Sequence, residues 1–169
     1  MLLKKEVTEE VLDWIKSFVI MIAGFWLFFT FIAAPFMVNG SSMRPTLQNK
    51  EHLLVNKFIY HFQEPQKGDI IVFEYPSDRS RNFVKRVIAT SGDTIEITDS
   101  MVFVNGKLIK EDYILAPSYI DFKKQTVPEG TVFVMGDNRN NSRDSRFSDV
   151  GFVPFSYIEG KVSMVFEHF

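Results

Sequence analysis

The sequence DIIVFEY at residues 69–75, followed after a short break by FVKRVIA at residues 83–89, decides the fold of this 169-residue chain. Both stretches are rich in β-branched and aromatic residues, and Pro76, Ser77 and Asp78 begin the break between them. Apolar runs of this length that are bounded by turn residues are typical of β-strands. The two stretches therefore predict two strands.

Comparable runs recur along the rest of the chain, at residues 53–60, 94–98, 101–104, 132–135 and 161–166. Asn105-Gly106 predicts a tight hairpin, because both residues tolerate the positive φ angles of a type I′ turn. After residue 47 the helical pattern is confined to a short turn near residues 155–158. We expect a mainly β domain of folded antiparallel sheets or a barrel-like sheet.

A long apolar run precedes this domain. Residues 17–43 carry no charge, and residues 18–37 are almost wholly apolar, which as a helix gives about 30 Å, the thickness of a bilayer core. We therefore predict a short N-terminal segment at residues 1–16, a transmembrane anchor at residues 17–37 and a β-rich domain at residues 38–169. The alternative is a cleavable signal peptide, which is disfavoured by the length of the run and by the lack of a small-x-small site at its end.

The charges near the two ends of the run do not fix its orientation. Within about 20 residues of each end, three basic residues precede the run and three follow it, namely Lys4, Lys5 and Lys16 against Arg44, Lys50 and Lys57. Counting positive charges therefore leaves both orientations open.

Composition excludes several classes of function. The formal net charge is −2, so no net positive field attracts nucleic acid. The chain has no cysteine, which excludes disulfides and thiolate chemistry. His52, His61 and His168 are scattered without a second ligand at metal-site spacing, so we expect no metal.

Three distant segments carry the residues of a serine–lysine enzyme. They read GSSMRPTL at residues 40–47, FVKRV at residues 83–87 and GDNRNNSRDSR at residues 136–146. A serine hydroxyl becomes a useful nucleophile when a base takes its proton, and Ser42 and Lys85 are the candidate pair. Lysine acts as a base when its pKa falls from about 10.4 towards neutrality, which costs about 4 kcal/mol for three units and requires burial.

The strand pattern favours such burial for Lys85. Alternate strand residues share a face, so Lys85 lies with Phe83 and Val87 while Arg86 points the other way. Taken alone, however, a strand lysine usually extends its amine to water, and Ser42 or Ser142 could be ordinary turn residues. The three segments are informative jointly.

The acidic residues of the third segment are expected to be structural. Asp144 and Arg146 are alternate residues of opposite charge, and we assign them to the scaffold. A free carboxylate beside Lys85 would keep the amine charged, so Asp137 is also expected to be structural.

These segments, in this order and downstream of an apolar run, resemble the bacterial type I signal peptidases. SMRPTL at residues 42–47 resembles the nucleophile box of that family, and GDIIVF at residues 68–73 resembles its next box. The lysine box of the family is similar to KRVI at residues 85–88 together with Gly92-Asp93. Its last box is similar to residues 136–146. The short segment between these two boxes is similar to the compact Gram-positive enzymes.

The resemblance implies roles for named residues. Ser42 would be the nucleophile, Lys85 the general base, and Ser142 a hydrogen-bonding partner that orients the lysine amine. The backbone N–H of Ser42 would form part of the oxyanion hole, whereas Gly40 lacks the hydroxyl that some members use as the second donor. The candidate walls of the substrate pocket are Phe36, Val38, Met43 and Val84.

The same resemblance implies a substrate and a location. The substrate would be the signal peptide of an exported preprotein, cleaved through an acyl-enzyme without a cofactor. The N-terminus would be cytoplasmic, with the catalytic domain on the outer face of the membrane and in contact with the lipid bilayer. The sequence leaves the oligomeric state open.

Two other classes of protein are weaker alternatives. A self-cleaving repressor with a Ser–Lys pair would carry a DNA-binding domain where this chain has its apolar run. A catalytically silent membrane-bound homologue, acting as a binding or assembly factor, would have no need of Ser42, Lys85 and Ser142 together.

Overall fold

The computed structural model describes residues 2–31 and 33–166, and within the N-terminal helix it describes the side chains of residues 10–27. Residues 1, 32 and 167–169, which belong to the predicted segments, lie outside the described residues. Helix α1 spans Leu2–Phe31. The strands that follow are β1 (Ala33–Met37), β2 (His52–Asn56), β3 (Ile70–Tyr75), β4 (Asp78–Thr90), β5 (Thr94–Thr98), β6 (Met101–Val104), β7 (Lys107–Leu108), β8 (Phe122–Thr126), β9 (Thr131–Met135), β10 (Val153–Pro154) and β11 (Ile158–Phe166).

The strands form two antiparallel sheets, as the predicted fold class requires. The larger sheet has the order β1-β2-β11-β3-β4-β9-β10, and the smaller one has the order β7-β6-β5-β8. Their buried residues meet in one cluster, where Ile88 and Phe133 of the larger sheet pack with Ile95 and Val104 of the smaller one. A second cluster, around Met43, fills the space beneath β1 and β2. The first cluster joins the sheets, and the second supports the segment that carries Ser42.

Most of the predicted strands are confirmed within a few residues. The hairpin is confirmed as well, with φ of 54° at Asn105 and 72° at Gly106. The prediction for residues 53–60 is wrong in its second half, because the strand ends at Asn56 and a short 3₁₀ helix follows at Ile59–His61. The Asn56 side chain accepts hydrogen bonds from the backbone N–H groups of Phe58 and Ile59, which favours a turn over a continued strand.

The described helix ends at Phe31, before the C-terminal end of the anchor predicted at residues 17–37. Residues Ala33–Met37 are not helical but form β1, which pairs with β2 from Ala33↔Asn56 to Met37↔His52. Pro35 explains the change, because a proline disfavours the helical conformation of the residue before it and lacks a backbone donor. It is tolerated in β1 because β1 is an edge strand.

Helix α1 begins at Leu2, so it also includes residues 2–16 of the predicted N-terminal segment. The described side chains of residues 10–27 are all exposed, including large apolar ones such as Phe18 and Ile20. Among the residues that the structure describes, no helix combines the length and the apolar character needed to cross a bilayer.

Candidate active site

Ser42 lies in a turn just after β1, and the third segment holds this turn in place. The backbone N–H of Asn138 donates to the carbonyl of Ser42 at 2.9 Å. The side chain of Asn138 donates to the carbonyl of Ser41 at 3.1 Å, and that of Asn141 donates to the Ser41 hydroxyl at 2.9 Å. These bonds fix the serine backbone from the opposite side of the site.

Lys85 lies on β4, opposite Ile71 of β3, and its amine reaches Ser42. Its Nζ donates to the Ser42 hydroxyl at 2.8 Å and to the Val84 carbonyl at 2.8 Å. The residue is 4% exposed, so the amine is almost completely removed from water. The structure thus brings together two residues that are 43 positions apart in the sequence.

Burial lowers the pKa of Lys85 to about 8, because an ammonium loses its hydration there. The carboxylates of Asp144 and Asp137 act in the opposite direction and raise the pKa. Desolvation is the larger effect, so a useful fraction of the amine is neutral near neutral pH. A neutral amine within hydrogen-bond distance of a serine hydroxyl can accept the proton of that serine.

The two carboxylates near Lys85 are each paired with an arginine. Arg86, on the opposite face of β4, donates to both oxygens of Asp137 at 2.9 and 2.7 Å. Arg146 donates to both oxygens of Asp144 at 2.8 Å, and both side chains are fully buried. The structural roles predicted for Asp144 and Arg146 agree with these contacts, since Arg146 also donates to Ser118 and to the carbonyl of Arg139.

Ser142 makes a different contact from the one predicted. Its hydroxyl donates to a carboxylate oxygen of Asp144 at 2.6 Å. Among the described residues, the Lys85 amine has Ser42 and Val84 as its acceptors, and the predicted bond to Ser142 is absent. Ser142 nevertheless borders the site, since a Cβ on Gly136 would come within 2.2 Å of its hydroxyl and 2.5 Å of the Ser42 carbonyl.

A cavity of about 220 Å³ opens beside Ser42 and Lys85. All four predicted wall residues line it, namely Phe36, Val38, Met43 and Val84. Val38 and Met43 are also part of the buried cluster beneath β1, so the walls are firmly packed.

Some lining residues were not predicted. Val72 and Phe83 extend the apolar wall, while Asn39, Asn82 and Arg143 add polar groups. Phe83 could have been found from the sequence, because it shares a strand face with Lys85. Arg143 could not, since its place depends on the path of a loop.

The backbone N–H of Ser42 is the one oxyanion-hole donor that was predicted. In the described part of the chain the N–H of Ser42 meets no acceptor, so it is free to bind a ligand. The N–H of Gly40 donates to the side chain of Asn49 at 2.8 Å and is therefore already engaged. Among the side chains that the structure describes, no three acidic or histidine residues gather as metal ligands.

Comparison with known proteins identifies relatives of this chain. A family model described as "Signal peptidase, peptidase S26" matches residues 11–167. The chain is 38% identical to signal peptidase I P of Bacillus subtilis subsp. natto over 96% of this chain and 92% of that relative. It is 44% identical to the probable signal peptidase I-1 of Synechocystis over 77% of this chain and 69% of that relative. A crystal structure of a signal peptidase I from Enterococcus faecalis, 34% identical, covers 60% of this chain and 98% of that chain with a TM-score of 0.54.

Proposed function

The chain belongs to the signal peptidase family, peptidase S26, whose activity is the removal of signal peptides, and we propose that Ser42 and Lys85 perform this cleavage. The observation that carries the proposal is the 2.8 Å hydrogen bond between the buried Lys85 amine and the Ser42 hydroxyl. Nucleophile and base thus stand at the distance that proton transfer needs. Burial makes the amine neutral often enough to accept the proton.

The reaction would proceed through an acyl-enzyme. Neutral Lys85 takes the Ser42 proton while Ser42 Oγ attacks the scissile carbonyl carbon. The oxyanion of the tetrahedral intermediate accepts a hydrogen bond from the free N–H of Ser42. The Lys85 ammonium then protonates the leaving amine, and the carbon–nitrogen bond breaks. A water molecule, deprotonated in turn by Lys85, attacks the ester carbonyl carbon. The bond from that carbon to Ser42 Oγ then breaks, and the Lys85 ammonium returns a proton to Ser42 Oγ.

Ser142 would support this reaction through Asp144. Its hydroxyl proton is directed to the carboxylate, and the same carboxylate accepts the backbone N–H of Gly136 at 3.0 Å. Gly136 in turn lies against the Ser42 carbonyl. We assign Ser142, Asp144 and Arg146 a structural role, in which they hold the Ser42 and Lys85 side chains in position relative to each other.

The cavity would bind the residues that precede the scissile bond. Phe36, Val38, Met43 and Val84 provide a small apolar wall next to Ser42, which fits short apolar side chains of a signal peptide. The outer edge of β1 is unpaired, so an extended substrate segment could add to the sheet there.

We place the protein at the cell membrane, with α1 as its anchor. The support is the charge-free part of α1 after Lys16 and the exposure of its large apolar side chains, which are costly to hydrate. The proposed orientation has the N-terminus in the cytoplasm and the β domain outside, where the mature parts of exported proteins emerge.

Turnover of a preprotein in detergent tests the proposed chemistry. We expect Ser42→Ala and Lys85→Ala each to lower kcat by about 10³-fold or more, because each removes one half of the reacting pair. Ser156→Ala and Lys123→Ala, at exposed positions on other elements, are the matched controls and should retain activity. N-terminal sequencing of the product locates the cleaved bond. Wild-type-like turnover by either site variant would refute the mechanism.

A further inference from the structure

An aromatic ring lies against the catalytic amine. The Lys85 Nζ is 5.1 Å from the centre of the Phe83 ring, on the shared face of β4. Aromatic faces attract cations within about 6 Å, and the attraction is stronger where water is excluded. The ring is therefore placed to favour the ammonium that Lys85 becomes after it takes the Ser42 proton.

The Phe83 ring is itself held by neighbours on β3. Tyr75 stacks on it with ring centres 4.5 Å apart and planes 13° from parallel. Phe73 contacts it edge-on, with ring centres 6.1 Å apart. Phe83 is thus confined between two aromatic side chains, and its position near Lys85 depends on both.

A surface ion pair fixes Tyr75 in turn. The Tyr75 hydroxyl donates to Asp149 Oδ2, and Arg143 Nε donates to the same oxygen at 2.8 Å. A terminal nitrogen of Arg143 also lies 2.6 Å from Asp149 Oδ1, as an ion pair. Hydrogen bonds from Arg143, and then from Tyr75, hold the pKa of Asp149 below its ordinary range. Arg143 lines the substrate cavity and follows Ser142 in the chain. The contacts therefore run from Lys85 through the stack and back to the loop that supports Ser42.

We propose that Phe83 is a positioning residue for Lys85 and that Tyr75 and Asp149 hold it in place. This inference rests on the proposed role of Lys85 as the general base. A lysine side chain has four rotatable bonds, and the Phe83 ring restricts them while it stabilises the charged amine.

Other charged groups also face this part of the site. The Asp144 and Asp137 carboxylates act on the Lys85 amine from the third segment, and Arg143 borders the cavity. The Arg81 guanidinium lies 5.6 Å from the Phe83 ring centre. None of these charged groups is itself changed by a substitution of Phe83, so the test compares the titration of Lys85 with and without the ring.

The pH dependence of kcat/KM tests the proposal, with a peptide substrate that has no group titrating between about pH 6 and 10. In Phe83→Leu, the ammonium loses the ring, so we expect the acidic limb to move to lower pH by about half a unit to one unit. Phe83→Tyr keeps the ring and should keep the wild-type limb. Phe122→Leu, which removes a ring from the smaller sheet, is the matched control.

The outcomes separate this inference from the proposed function. Suppose that Lys85→Ala is inactive. If the acidic limb of the kcat/KM profile of Phe83→Leu then stays at its wild-type pH, or moves to higher pH, the positioning role is overturned. An active Lys85→Ala protein would instead overturn the proposed function itself. A change confined to KM would show that Phe83 serves as a cavity wall and would also overturn the inference.

A second set of variants tests the link to Asp149. We expect Tyr75→Phe and Asp149→Asn each to lower kcat by about threefold to tenfold. The double variant should have a kcat no lower than that of the more impaired single variant, because both substitutions break the same connection. Glu74→Gln, which breaks a different ion pair on the same pair of strands, should leave kcat unchanged. Losses that multiply in the double variant would contradict the link.

Discussion

At the level of single residues, the site depends on how its two carboxylates are paired. Asp137 and Asp144 both favour a charged Lys85, yet Arg86 and Arg146 each bind one of them through two hydrogen bonds. The arginines offset much of the negative charge that the amine would otherwise experience. Desolvation therefore remains the stronger influence on the pKa of Lys85.

The pH dependence of the wild-type enzyme should report this balance. Protonated Lys85 cannot accept the Ser42 proton, so we expect kcat/KM to rise with pH and to level off above the Lys85 pKa of about 8. The profile is measured on the free enzyme with substrate well below KM. A profile that is flat between about pH 6 and 9 would contradict a lysine base.

Burial of Lys85 should also cost stability. Its pKa is lowered from 10.5 to about 8, so the folded protein carries a penalty of up to about 3 kcal/mol while the amine is charged. The penalty is fully present below pH 8 and disappears as the pH rises to about 10.5, where the unfolded chain also loses its proton.

We therefore expect Lys85→Met to be inactive but more stable than the wild type by about 1–3 kcal/mol at pH 7, with the difference shrinking towards pH 10. Denaturant unfolding at several pH values measures it. Lys123→Met, at an exposed position, should show no such gain. A Lys85→Met protein less stable than the wild type at pH 7 would mean that lost hydrogen bonds outweigh the relief of charge burial.

Several site residues could be predicted from the sequence because they lie in short ordered segments. Ser42 and Lys85 meet as expected, and the four predicted wall residues line one cavity. The contact of Ser142 was predicted wrongly. Its hydroxyl donates to Asp144 in the same loop, and this choice of acceptor depends on a three-dimensional spacing that the sequence does not contain.

At the level of elements, strands were predictable where they are buried. β3, β5 and β6 have apolar residues with clear turn signals, and their bounds were found within one residue. β8 was missed, because its sequence FKKQT is polar and four of its five residues are exposed. β1 was missed because its apolar residues continue the run of α1, and the stop signal is a single proline.

The irregularity of β11 gives a prediction at this scale. Its pairing with β3 shifts between Ile158 and Gly160, and its pairing with β2 shifts between Val162 and Met164. A Cβ at Gly160 would lie 2.4 Å from the Asn56 carbonyl oxygen. Because backbone atoms cannot move aside easily, Gly160→Ala should lower the free energy of unfolding by about 1–3 kcal/mol.

Activity per folded molecule should be preserved, since Gly160 is not part of the cavity. Thermal unfolding and active-site titration measure the two effects. Gly24→Ala is the control, because a Cβ there meets no atom within 4 Å. Unchanged stability in Gly160→Ala would show that β11 can shift to accommodate the methyl group.

At the level of the whole molecule, the mainly β fold was predictable and its division into two sheets was not. The sheets join where β4 leads into β5, and the sequence between them, Ser91-Gly92-Asp93, resembles any other turn. Which strands become neighbours depends on long-range pairing such as β2 with β11. Such pairing leaves no local pattern in the sequence.

The proposed orientation can be tested with single cysteines, because the chain has none of its own. A membrane-impermeant maleimide added to intact cells should label Lys123→Cys on β8. Glu10→Cys on α1 should react after the membrane is permeabilised. Both positions are exposed in the folded chain, so the difference reports the membrane alone. The reverse pattern would contradict the orientation, and labelling of both positions in intact cells would contradict the anchor.

The short junction between α1 and β1 has a consequence for the proposed location at the membrane. A single residue separates Phe31 from Ala33, and β1 extends for five residues, about 17 Å, before the turn that carries Ser42. With α1 in lipid, as we propose, a tether this short would keep Ser42 at a nearly constant height above the bilayer. A cleavable sequence held well beyond that height would not reach Ser42 and would not be hydrolysed. The distance of a peptide bond from the lipid would then determine whether it is cleaved, together with the side chains that flank it.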